Sequence, residues 1–168
     1  IKSDCFPWEY SEPVSADYLR VAQSLLADSE LLIGFNLKYD LHWLRRCGII
    51  GSYTELNIPL WDCQLAEFII RNQQLVFPSL EKSCEAWGIS GKFIDIEKEY
   101  WDKGIDTPAI PWDVVAERGR SDVVITYKLY EAQLAYLSDK PKLHQLIKLA
   151  CQDLVVLAEM EWNGLLFD

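Results

Sequence analysis

The sequence is short of basic residues: 16 Lys plus Arg stand against 26 Asp plus Glu in 168 residues, a formal net charge of −10. That deficit excludes a protein that holds nucleic acid by overall charge alone, because such proteins carry a surplus of Lys and Arg to neutralise phosphates. Any nucleic-acid role must be local. Histidine is scarce as well, with only His42 and His144. The five cysteines (Cys5, Cys47, Cys63, Cys84, Cys151) are odd in number and form no Cys-x-x-Cys pair. Neither a disulfide framework nor a structural zinc site is expected; reduced thiols among apolar neighbours are. No stretch approaches the about 18 uninterrupted apolar residues of a membrane span, and no basic segment followed by an apolar one opens the chain. Repeats and low-complexity tracts are missing too. What is present is 50% hydrophobic and 25% charged, the balance of one ordinary domain with a core. The apolar run Leu165-Leu166-Phe167 at the end suggests a piece of something longer.

Local signals divide the chain into elements. Ser15 is placed to cap a helix from Ala16 to Ala27, where apolar residues recur at helical spacing. Leu31 to Phe35 is a short continuous apolar run, which predicts a strand buried on both faces. A helix from Tyr39 to Cys47 follows, closed by Gly48. After Ile49 to Pro59, a loop with a short extended piece, Asp62 is placed to cap a helix carrying Leu65, Phe68 and Ile69, and Pro78-Ser79 opens another that ends at Gly88. The stretch from Gly91 to Ala109 reads as mostly irregular. Pro111 at a first helical position starts a long helix to Leu137, and a last helix runs from Lys142 to Trp162, ending at Gly164. A lone strand cannot satisfy its own backbone, so its partners must come from upstream sequence or from the irregular segments.

Two acids fall where acids are costly. Asp40 shares a helix face with Trp43, Leu44 and Cys47, and Asp122 shares one with Val115, Ile125, Thr126 and Leu129. A carboxylate on an apolar face needs a hydrogen-bond partner, a cation or a metal ion. Asn36 and Asp40 also flank the joint between the end of the strand and a helix start, a common place for ligand groups in open α/β sheets. The alternative is that Asn36 caps a turn while Asp40 merely sits in the first helical turn, where the helix dipole favours an acid.

The run Ile33-Gly34-Phe35-Asn36-Leu37-Lys38-Tyr39-Asp40 resembles the second exonuclease motif of the proofreading 3′-5′ exonuclease domains of family A DNA polymerases. Trp61-Asp62-Cys63-Gln64-Leu65-Ala66 and Ser79-Leu80-Glu81 are similar to the helix starts that follow it. Tyr100-Trp101-Asp102-Lys103-Gly104-Ile105-Asp106-Thr107-Pro108 resembles phage-type members. Asp122 with Thr126 and Leu129-Tyr130 resembles the third exonuclease motif, and Met160 to Asp168 the segment leading into the polymerase domain. The resemblance runs from about residue 31 to the end.

It implies a helix-rich α/β ribonuclease H-like fold in which four acids hold two divalent metal ions, Mg²⁺ or Mn²⁺. Two ions roughly 3.5 to 4 Å apart activate water and stabilise the leaving oxygen, and carboxylate oxygens suit these cations. Asp40 and Asp122 would be two of the ligands, with Asn36 and Tyr39 beside the 3′ end of single-stranded DNA. Residues 1–137 would be the exonuclease domain and residues 138–168 a linker helix leading into the polymerase domain of the same protein. The setting implied is a bacterial or phage-infected cytoplasm, without a membrane partner.

Two departures stand out. The family's first motif, Asp-x-Glu on an opening strand, is absent between Ile1 and Leu32, so the chain is expected to lack its first strand. Arg118 occupies the place where the family commonly has Tyr or His; it could contact the scissile phosphate but cannot act as a base. A catalytically degenerate domain with a structural or DNA-holding role, and a ribonuclease D-like RNA exonuclease, are the alternatives. Asp95-Ile96-Glu97 spells Asp-x-Glu but sits among charges and reads as a solvated loop. Asp62 reads as a helix cap; Lys38, Arg45, Arg46 and Arg71 could touch phosphates, although exposed basic residues in an acidic protein are usually solubilising. The seven tryptophans read as core rather than as stacking platforms.

Overall fold

A computed structural model describes residues 15–74, 78–90 and 96–164. The chain is mixed α/β and mostly helical. Helix α1 spans Ala16–Ala27, and Ser15 caps it as expected, its hydroxyl accepting from the Asp17 N–H at 3.3 Å. Strand β1 (Leu32–Gly34) leads through Asn36, in the left-handed region at φ 62° and ψ 48°, into α2 (Leu37–Arg46). That helix begins two residues before the expected Tyr39. The reason lies 25 residues away in sequence: the Leu37 N–H donates to Asp62 Oδ2 at 2.7 Å, so an acceptor from another element extends the first turn.

A single turn of 3₁₀ helix at Tyr53–Glu55 precedes strand β2 (Leu60–Asp62), every residue of which is buried. β2 lies parallel to β1 with Leu32 opposite Leu60, Ile33 opposite Trp61 and Gly34 opposite Asp62. It is a strand within what the sequence suggested was loop and helix start. Three residues are too few to show a period of two. Asp62 ends β2 and caps α3 (Cys63–Ile70), accepting from the Gln64 and Leu65 N–H groups at 2.8 and 3.1 Å.

Ser79 caps α4 (Leu80–Ala86), accepting from the Lys82 N–H at 3.3 Å. Residues 96–109, expected to be mostly irregular, contain the short helix α5 (Ile96–Glu99) and 3₁₀ turns at Trp101–Lys103 and Thr107–Ala109. Asp95 and the side chain of Glu97 lie outside the described residues. The long helix α6 (Trp112–Leu137) starts one residue after Pro111, and α7 (Pro141–Asn163) closes on Gly164 at φ 68°, a left-handed value that glycine adopts without strain. Helix α6 packs on β1, α3 and α4, whereas α7 packs on β2, α2, α3 and the turn at Tyr53.

The core gathers where these helices meet β2. Trp61, Leu37, Leu41, Leu129, Ile147 and Cys151 are all buried. A buried amide locks it: Gln133 Nε2 donates to the Cys63 carbonyl at 2.9 Å while its Oε1 accepts from Trp61 Nε1 at 3.1 Å. Buried Glu67 is likewise engaged by Arg71 at 2.8 Å and Trp87 Nε1 at 2.6 Å. Cys63, Cys84 and Cys151 are buried free thiols and Cys47 is a half-buried one; burial pushes Cys84 and Cys151 up to about 11 and Cys63 higher still. Cys5 lies outside the described residues. The tryptophans depart from expectation. Trp61 is a core residue, but Trp43 and Trp87 are half-buried and Trp101, Trp112 and Trp162 are exposed; Trp8 lies outside the described residues. No helix among the described residues is long and apolar enough to cross a membrane.

Candidate active site

A cavity of about 760 Å³ opens beside β1, between α2 and α6. Leu32, Ile33, Gly34 and Phe35 all line it. Among the described residues β1 pairs with β2 alone, and all three of its residues line the cavity. Leu32 and Ile33 are therefore half-buried rather than buried on both faces as the apolar run suggested.

Asp40, from the first turn of α2, and Asp122, from the middle of α6, share this cavity with Arg118, Trp43 and Thr126. Asp40 keeps a face open to water, while protein atoms crowd it on the other sides. That crowding first, and the negative charge of Asp62 second, push its pKa up to about 6. Water reaching the carboxylate screens the effect on stability, and its sign follows from the direction of the shift. A carboxyl whose pKa is raised by folding adds stability below the unfolded value of 3.8, and that stability is lost as pH rises through about 6. Asp40→Asn is accordingly expected to melt at a higher temperature than the parent at pH 7.5, with the gain shrinking toward zero near pH 4. Thermal melts at both pH values measure this, and a difference that ignores pH contradicts it.

Asp122 is engaged differently. Arg118, one helical turn earlier, donates from Nε to both carboxylate oxygens, at 3.0 Å to Oδ1 and 2.8 Å to Oδ2. Both side chains are about one-third exposed. The arginine thus holds the two oxygens that a cation would use.

Asn36 and Tyr39 do not enter this cavity. Asn36 lines a second one of about 390 Å³, with Lys38, Gln64 and Asp153 among its walls. Tyr39, 59% exposed, lines a third of about 380 Å³ with His42, Trp43, Arg46, Glu161 and Trp162. Trp43 lines both the first and the third.

Two arrangements had no separate signal in the sequence. The first centres on Asp62, whose carboxylate caps α3 and also accepts from the Asn36 and Leu37 N–H groups at 3.3 and 2.7 Å. One buried acid therefore fixes the starts of both helices that flank the sheet's carboxyl end. Burial pushes its pKa up while these four N–H groups pull against it. The second ties α2 to α7. His42 Nδ1 meets the Tyr53 hydroxyl at 2.5 Å, His42 Nε2 meets Glu161 at 2.9 Å, and Lys38 donates to the same Glu161 at 2.5 Å. Arg45 pairs with Glu159 at 3.1 Å and lies over the rings of Tyr53 and Trp162. Lys38, Arg45 and Arg71 are therefore bound into ion pairs rather than left as solubilising decoration.

Asp40 and Asp122 offer oxygen donors of the kind Mg²⁺ and Mn²⁺ prefer. They fit as part of a ligand set. Among the described residues no group of three or more His, Cys, Asp or Glu is gathered that could hold a metal ion. No protein-family model, curated protein or solved structure matches the chain.

Proposed function

We propose that this chain is the greater part of a 3′-5′ exonuclease domain of ribonuclease H-like fold, belonging to a family A DNA polymerase, with residues 138–168 leading into the polymerase region. Its reaction is hydrolysis of the 3′-terminal phosphodiester of single-stranded DNA. The observation that carries the reading is that Asp40 and Asp122, far apart in sequence, line one cavity together with β1, a strand with one edge that has no partner among the described residues. That edge is where a further strand would add, and an Asp-x-Glu pair on it would bring two more carboxylates to the same cavity.

Asp40 and Asp122 would hold two divalent cations, which when bound supply an activated water and charge stabilisation at the leaving oxygen. Crowding already disfavours the ionised form of Asp40, and a cation is the partner that favours it. Tyr39 offers an exposed ring for a base near the 3′ end, and Asn36 an amide for sugar or phosphate. Arg118 contributes positive charge, because a guanidinium cannot give up its proton at working pH.

The test is release of a 3′-terminal label from single-stranded DNA by the full natural polypeptide, with Mn²⁺ and with EDTA. Metal-dependent release supports the reading, and none at any Mn²⁺ concentration refutes it. A preference for RNA over DNA of the same sequence would favour the ribonuclease D-like alternative.

The hold of Arg118 on both Asp122 oxygens favours a second reading, a degenerate domain that binds DNA without metals. Arg118→Ala separates the two. If Asp122 is a metal ligand, removing its competitor is expected to tighten Mn²⁺ binding severalfold in a calorimetric titration. In a domain without a metal site neither protein binds Mn²⁺.

A further inference from the structure

We infer that the third cavity, on the joined faces of α2 and α7, is a binding site for the single-stranded DNA that follows the 3′-terminal nucleotide. The path runs from the Asp40 cavity across Trp43 to Arg46 and Trp162. It rests on the exonuclease reading for the position of the 3′ end but not for the binding itself.

Three aromatic rings converge there and are only partly covered. Tyr39 is 59% and Trp162 45% exposed, and Tyr39 meets Trp43 edge-on with ring centroids 6.3 Å apart. Guanidinium groups sit over two of them, Arg45 at 4.4 Å from the Trp162 centroid and Arg46 at 5.9 Å from that of Trp43. Aromatic rings next to cations match a single strand, since every base has a π face to stack and every linkage a phosphate to neutralise.

The local charges agree with an anionic ligand. Glu161 is the acid that faces the cavity, and its carboxylate already accepts from Lys38 and His42, which hold its pKa below the ordinary range. Glu159 is taken by Arg45. Arg46 is exposed and has no ion-pair partner among the described residues, so it is the cation left for phosphate. This resolves how a chain of net charge −10 meets DNA: the contact is local and made largely by stacking, which is neutral.

The experiment measures anisotropy of labelled oligo-dT, two to eight nucleotides long, bound to the chain in EDTA so that nothing is cleaved. Affinity is expected to rise with length. Trp162→Ala is expected to weaken dT8 binding about tenfold, toward the low end of what losing one stacked base does. Arg46→Ala is expected to make the slope of log K against log salt shallower by about 0.7, the contribution of one phosphate contact on a single strand. The exposed Arg46 side chain guards the test if Trp162→Ala loosens α7. Equal dT8 affinity and equal salt slope in both variants and the parent overturn the inference, and would leave this face to a protein partner. Length-dependent binding with these losses but no nucleotide release under Mn²⁺ refutes the exonuclease reading alone. Release with dT8 binding indifferent to both substitutions refutes the strand path alone.

Discussion

If Asp122 holds a metal ion as proposed, replacing it with alanine is expected to cut metal-dependent release of the 3′-terminal nucleotide by at least about a hundredfold, because even outer-shell partners of a metal site cost ten- to a hundredfold when removed and a direct ligand costs more. The fold should hardly notice. Asp122 is one-third exposed and its pair with Arg118 spans one turn of a single helix, an arrangement worth about 0–1 kcal/mol. Ile125 and Leu129 keep α6 anchored in the core. The melting temperature should therefore stay within about 3 °C of the parent. Activity and melting are to be measured on the same preparation, so that inactivity with an intact fold separates a ligand role from a structural one. Activity within tenfold of the parent would remove Asp122 from the metal site.

The opposite profile is expected for Asp62. Its Oδ1 accepts from the N–H groups of Asn36, Gln64 and Leu65, and its Oδ2 from that of Leu37. Alanine strips an acceptor from the starts of two helices at once, at a site where the side chain is buried and water is a poor substitute. We expect a loss of about 3 kcal/mol, which for a chain of this size lowers the melting temperature by roughly 6 to 12 °C. Asp62→Asn should fall between, because an amide oxygen can replace Oδ1 while the amide nitrogen cannot accept from Leu37. Thermal and urea unfolding give the ranking. A loss below about 1 kcal/mol for alanine would mean that α2 and α3 begin without help from this carboxylate.

What could be read in advance follows from how local each cause is. Ser15 and Ser79 were legible as caps because a hydroxyl and the N–H it satisfies lie within three residues. Gly164 was legible as a stop because only its own backbone is involved. Asp40 and Asp122 were legible as unusual because each contradicts the apolar pattern around it, and that reasoning needs one helix at a time. The second role of Asp62 was not, since the N–H groups of Asn36 and Leu37 belong to a different helix. Strand β2 escaped because three residues carry no periodicity. The tryptophans misled for a plain reason: a ring has the same hydrophobicity in a core as on a stacking surface, and exposure of Trp162 depends on where α7 is laid down. Arg118 and Asp122 stand at a spacing that predicts a helix ion pair, yet reading the arginine by its place in a family motif drew attention to phosphate and away from its neighbour.

That β1 pairs on one side only among the described residues also matters for handling the protein. A strand edge without a partner is a template for any extended chain, and a second molecule is the most abundant one in a concentrated preparation. The short strand and the walls formed by Leu80, Trp43 and Tyr127 keep that template recessed in the native state. Heating that loosens α4 or α6 would uncover it, so aggregation of this protein should begin by self-templating at that seam before the rest of the fold comes apart.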